Sequence, residues 1–135
     1  MVAGWPLLNL YKTFAIVAKT MDKHTLDASG KKIGRIASEA AALLMGKAST
    51  AYRPNIAPQI KVEITNASKL DVLARKMESI KHERYSGWHG GLKSVSLARV
   101  VKSKGFSEIV RHAVFGMIRH NKLRKEIMKN LTVTE

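Results

Sequence analysis

The chain contains no cysteine, which excludes disulfides, thiolate metal sites and cysteine nucleophiles and fits a reducing compartment. It is also poor in acids: 10 Asp and Glu stand against 24 Lys and Arg, leaving a formal net charge of +14. Such an excess goes well beyond what solubility needs and repels itself in the compact state, so a polyanionic partner accounts for it. Long apolar runs are missing too. The opening stretch "MVAGWPLLNLYKTFAIVAK" has no acid, but Asn9 and Lys12 interrupt it, short of the roughly 20 apolar residues of a membrane span. Neither the basic start of a signal peptide nor the Arg and Ser of a mitochondrial presequence is present there.

What is present is enough for one folded body. At 135 residues, 45% of them hydrophobic, the chain can bury roughly two thirds of its unfolded surface in a single core. The cations are uneven. Residues 1–68 hold nine against four acids, a balance of +5, and residues 69–135 hold fifteen against six, a balance of +9.

The segment "HTLDASG" (24–30) predicts a short strand, Thr25 to Asp27, ended by Ser29 and Gly30. In "KIGRIASEAAALLMGK" the positions Ile33, Ile36, Ala37, Ala40, Leu43 and Leu44 recur at helical spacing, with Gly46 as the stop. "YRPNIAP" (52–58) carries two prolines and reads as a loop, and "IKVEITNA" (60–67) alternates as a strand with one wet face. Strand, helix, strand favours a parallel pair with a right-handed crossover. "KLDVLA" (69–74) suits a third strand, and "KMESIKHERY" (76–85) suits either a strand or a short helix. Two helices are expected next: one within 94–105 with Ser96 as N-cap and Gly105 as stop, the other over 106–118 with Ser107 as cap. The second places Ile109, Val110, Ala113, Val114, Met117 and Ile118 on one core-facing stripe. "NKLRKEIMKNLTV" (121–133) reads as a basic amphipathic helix or turn, and there is no internal repeat or interdomain linker.

An α/β body invites a nucleotide-enzyme reading, which the motifs do not support. "MGKAS" would need glycine at 41 and Ser or Thr at 48, and both are alanine. Gly87, Gly90 and Gly91 lack G-x-G-x-x-G spacing and lie outside the first strand–helix unit. His82, Glu83 and His89 match no zinc spacing, Ser86 lacks the Gly-x-Ser-x-Gly elbow, and His112 reads as an ordinary helix residue. No cofactor, metal, small-molecule substrate or catalytic role is expected.

RNA recognition needs cations for phosphates and gains from planar groups that stack. Residues 75–93 supply both. Arg75, Lys76, Lys81, Arg84 and Lys93 bracket Tyr85, Trp88 and His89, while three glycines let backbone N–H groups approach a phosphate. The competing structural reading is a surface turn with Trp88 folded onto the core. In "GMIRHNKLRK" (116–125) the cations Arg119, Lys122, Arg124 and Lys125 stand with His120 in a run without acids, the first acid after Glu108 being Glu126.

The blocks "LDASGKKIGRIASEAAALLMGK", "VEITNASKL", "KHERYSGWHGGLKS" and "AVFGMIRHNKLRK" resemble, in order and spacing, the large-subunit ribosomal protein L13 family. The likeness runs over 24–131. It implies an α/β fold: a single three-layer α/β/α domain around a central, mostly parallel four-stranded sheet. It also implies no enzymatic activity and a structural, early-assembly role on 23S-type rRNA. The domain would be 23–135, with 1–22 an N-terminal extension of no assigned role. The implied rRNA contacts are Arg35, Lys47 and Arg53; Lys76, Lys81 and Arg84; and the loop Ser86, Gly87, Trp88, His89, Gly90, Gly91 and Lys93. After Met117 they continue with Arg119, His120, Asn121, Lys122, Arg124 and Lys125. The sequence departs from the family pattern at Tyr85 (His), His89 and Arg119 (both Pro), Arg124 and Ala74 (both Gly) and Gln59-Ile60 (Gly-Asp). The family's C-terminal Tyr-x-Gly and His-Pro-His motifs do not occur. The implied partners are large-subunit rRNA and neighbouring ribosomal proteins. The chain would be a monomer within the large subunit of a cytoplasmic ribosome, or alternatively an organellar one, with no membrane contact. An autonomous RNA-binding module is the second reading, and a nucleotide-using enzyme the third.

Overall fold

Alternation of polar and apolar side chains puts Leu26 between two exposed neighbours, and the segment around it forms β1 (Lys23–Asp27). The structure is a computed structural model that describes residues 22–50 and 52–135; the expectations for residues 1–21 lie outside that range. Asp27 ends the strand by accepting hydrogen bonds from the Ser29 N–H (3.1 Å) and hydroxyl (2.8 Å), and Gly30 continues the turn at φ +66°, where a side chain would be strained. Helix α1 (Ile33–Leu44) then buries Ile36, Ala37, Ala40, Ala41 and Leu44. Its C-terminus closes through the Lys47 N–H on the Ala42 carbonyl (3.1 Å) around Gly46 at φ +73°, the left-handed stop expected from the sequence.

The Pro-containing loop leads to β2 (Lys61–Thr65), parallel to β1 with His24 beside Val62 and Leu26 beside Ile64. The far side of β2 pairs in parallel with β5 (Leu131–Val133), Val62 beside Leu131. Among the described residues the central sheet therefore has three strands, in the order β1-β2-β5, instead of the four expected.

Two segments explain the difference. Residues 69–74 do not extend the sheet: after Asn66 at φ 59° the chain makes a 3-10 turn (Ala67–Lys69). It then crosses the loop after β1, with the Lys69 carbonyl accepting from the Gly30 N–H (3.0 Å) and the Asp71 N–H donating to the Lys31 carbonyl (3.1 Å). Conversely, the expected basic helix ends at Lys129, with Asn130 as its C-cap, and Leu131 begins a strand. Helix α4 (Arg124–Lys129) is short, and the Thr134 N–H and hydroxyl both donate to the Ile64 carbonyl (2.8 and 3.1 Å), drawing β5 against β2.

The ambiguous 76–85 segment is both of its alternatives in succession, α2 (Ala74–Ser79) followed by β3 (Lys81–Tyr85). β3 forms a separate antiparallel hairpin with β4 (Leu92–Ser96). The two expected helices follow each other within α3 (Leu97–Met117) and are divided at Gly105, whose φ of 80° and ψ of 180° are not helical, the stop expected from the sequence. Ser96 occupies the N-cap position, but its side chain makes no capping hydrogen bond. Ser107 does not cap through its hydroxyl; its N–H instead donates to the Glu135 carboxylate (3.1 Å).

The core lies between one face of the sheet and two helices: Leu26, Val62, Ile64 and Leu131 pack with Ile36, Ala40 and Leu44 of α1 and Val110 and Val114 of α3. The opposite face carries Lys23, Thr25, Asp27 and Lys61, all exposed, with Lys23 paired to half-buried Glu63 at 2.7 Å. Among the described residues the sheet and the two helices on its core face thus form two layers. Parallel sheets are generally covered on both faces; the side chains that the described strands place on this face are polar. Met117, expected in the core stripe, is exposed together with Phe115, because the helix turns its buried face through Val110, Val114 and Ile118.

Candidate nucleic-acid interface

The β3–β4 hairpin pairs Lys81 with Ser96, His82 with Val95, Glu83 with Ser94, Arg84 with Lys93 and Tyr85 with Leu92. Strand alternation places Arg84 and Lys93 on one face of the ribbon and Glu83 on the other. Two like charges directly opposite each other destabilise a hairpin. Neither Arg84, Lys93 nor Lys81 has an ion-pair partner among the described residues, where the pairs are Lys23–Glu63, Lys31–Glu39 and Lys104–Glu108. Arg84 and Lys93, with Ser86 and Gly91, line an open cavity of about 270 Å³.

The loop between the strands explains its glycines. The Ser86 N–H donates to the Gly91 carbonyl (3.2 Å) and the Gly91 N–H to the Trp88 carbonyl (2.9 Å), folding the loop back on itself. Gly87 and Gly90 have φ of +86° and +67°. A Cβ on Gly91 would fall on the Ser86 hydroxyl and 2.9 Å from the Trp88 carbonyl oxygen. Trp88 is 75% exposed, so it does not fold onto the core. Its ring meets His89 edge-on at 6.0 Å, and exposed Tyr85 stands at the end of β3. The hairpin tip is therefore a set of outward-facing planar groups beside two unpaired cations.

The other expected contact residues fall in separate places. Arg35 is exposed in the first turn of α1, Lys47 just beyond its end, and Lys76 on α2. Arg53, Arg119 and Asn121, distant in sequence, line one small crevice of about 20 Å³. His120, Lys122 and Lys125 are exposed. Arg124 departs from the expectation: it is only 5% exposed. Its guanidinium lies over the Phe115 ring at 3.4 Å from the centroid, donates to the Phe115 carbonyl, and sits 3.1 Å from the ring nitrogens of His120. Burial and these contacts turn this cation inward, away from any phosphate in solution.

Sequence reasoning missed one juxtaposition. His82 of β3 and His112 of α3 stack with ring centroids 3.9 Å apart. Desolvation, with the charge of His112 adding to it, holds the His82 pKa below its ordinary value, while Glu108 opposes this. No local periodicity links the two positions, so only the tertiary fold reveals the pair.

Among the described residues no helix is long and apolar enough to cross a membrane, and no group of three or more His, Asp or Glu side chains is placed to hold a metal ion.

The fold and this surface define a class: a small, strongly basic α/β protein that presents a cationic hairpin tipped with aromatic side chains. The family model for ribosomal protein L13 matches residues 21–135. The large ribosomal subunit protein uL13 of Treponema pallidum is 38% identical over 110 residues, 82% of this chain and 77% of that protein. Its counterpart in Dehalococcoides mccartyi is 38% identical over 128 residues, 95% of this chain and 88% of that protein. The Thermus thermophilus protein is 37% identical over 108 residues, 80% and 76%. The chain belongs to the ribosomal protein L13 family.

Proposed function

We propose that the chain is a structural constituent of the large ribosomal subunit in the cytoplasm, binds large-subunit rRNA and supports early subunit assembly and translation. The observation that carries this reading is the Arg84–Lys93 pair. Two cations held opposite each other without an acid form a hairpin that is relieved by an anion, and the loop beside them folds back tightly through Gly87 and Gly90 at φ of +86° and +67°. Exposed Trp88 and Tyr85 add planes on which unpaired bases stack. Lys47, Arg53, Arg119, Lys122 and Lys125 add cations elsewhere on the surface, with neighbouring large-subunit proteins as the further partners. The relatives carry ribosomal names, which supports the same reading and gives no support to an enzymatic one.

Sedimentation of tagged protein from a cell extract, washed at rising salt, tests it. Retention in the large-subunit fraction at high salt is expected of an integral component. Release at modest salt into free RNA or soluble fractions would replace this reading with that of a general RNA-binding module.

A further inference from the structure

Between the start of α1, the loop before α2, β3 and α3 lies a second cavity of about 280 Å³. That is slightly below the roughly 300 Å³ at which sites for drug-sized molecules begin, and suits one flat ring better than a dinucleotide. Leu73 and Ile80 on its wall are 54% and 44% exposed, an apolar surface left open to solvent. The stacked rings of His82 and His112 also line it, and desolvation there, with the charge of His112 adding to it, lowers the His82 pKa.

Three charged groups complete the cavity. Lys32 and Lys76 line it and are exposed, and neither has an ion-pair partner among the described residues. Asp71 lines it as well, and its carboxylate takes part in none of the described ion pairs or side-chain hydrogen bonds. A carboxylate only accepts hydrogen bonds, so it selects a ring that donates. An apolar peptide side chain would fill the hydrophobic wall but leave both lysines without an anion.

We propose that this cavity receives a single unpaired RNA base bearing an exocyclic amino group, packed against Leu73, Ile80 and the histidine pair. Asp71 accepts from the amino group, and Lys32 and Lys76 hold the flanking phosphate. The inference rests on the RNA-binding reading above but concerns a surface separate from the Arg84–Lys93 hairpin.

The test is an NMR titration of the full chain with AMP, CMP, UMP and inorganic phosphate, following the ring resonances of His82 and His112 and the methyls of Leu73 and Ile80. AMP and CMP are expected to shift these signals and UMP to do so more weakly. His112→Ala, at an exposed position, is expected to weaken AMP binding about tenfold while leaving the fold intact, as loss of a stacking ring does. Asp71→Asn is expected to reduce the preference for AMP and CMP over UMP. If inorganic phosphate moves the cavity signals as much as AMP does, the cavity is an anion site and the proposal fails. If AMP perturbs only the Arg84–Lys93 hairpin, the base pocket is overturned while the RNA-binding reading stands. If neither AMP nor an rRNA fragment perturbs either surface, both are overturned.

Discussion

Arg84 and Lys93 occupy matched positions on neighbouring strands, and both side chains project from the hairpin without supporting the core. Replacing both with Ala is expected to weaken rRNA binding, to lower the slope of log K against log salt by about 2, and to leave thermal unfolding nearly unchanged. Arg124→Ala should do the reverse. It removes a buried guanidinium from the Phe115 ring and carbonyl, so about 1–3 kcal/mol of stability should be lost with little change in RNA affinity. Equal loss of stability in the Arg84/Lys93 variant would show that the hairpin is architectural. In sequence the three cations look alike, since each sits among basic neighbours, and only the neighbours supplied by the fold separate them. Asp27 offers a second residue-scale test. The Ser29 N–H, helped by the Asn66 amide and the Ser29 hydroxyl, lowers its pKa from 3.8 to about 2. A carboxyl depressed in the folded state favours folding above its ordinary pKa, and this contribution disappears as pH falls from about 3.8 toward 2. Asn66→Ala is expected to move the Asp27 titration part of the way back up, measured by carboxyl NMR, because the Ser29 donors remain.

At the scale of elements, legibility followed length and periodicity. Helix α1 could be read from its apolar spacing and its glycine stop, and the β1–α1–β2 unit from their order. The break in α3 was also visible, because Gly105 adopts a φ of 80° that other residues avoid. The three-residue strand β5 is too short for a period-two pattern to emerge, and its pairing depends on the Ile64 carbonyl, distant in sequence. Residues 69–74 misled for the opposite reason: their composition suits a strand, but hydrogen bonds to Gly30 and Lys31 take their backbone elsewhere. The buried stripes of α1 and α3 give a direct test. Ile36 and Val114 are 1% and 0% exposed, and truncating either to Ala should cost about 1–4 kcal/mol through the cavity left behind. Chemical denaturation would measure this, with RNA affinity of the folded variant unchanged.

For the whole molecule, charge and shape act together. A net charge of +14 suits a polyanionic partner but specifies no place on it, and where the cations sit is what gives the surface a pattern. Arg53 and Arg119 come to one crevice from opposite sides of the chain, Arg84 and Lys93 to one hairpin face, and Lys32 and Lys76 to one cavity. Several anchoring points on a rigid body resist salt together, which is why retention through a salt wash separates an integral subunit protein from a loose RNA binder.

The sequence by itself determined the excess of cations, the absence of thiol chemistry, the first strand–helix–strand unit, the glycine loop and, through its ordered motifs, the family. These are local or compositional properties, fixed by spacing along the chain. Tertiary structure alone decided that β5 joins β1 and β2 in the central sheet of the described residues, that Arg124 turns inward while Lys93 faces out, and that His82 stacks on His112. Each of those outcomes depends on a partner far away in sequence, and burial assigns a side chain its role only once that partner is in place.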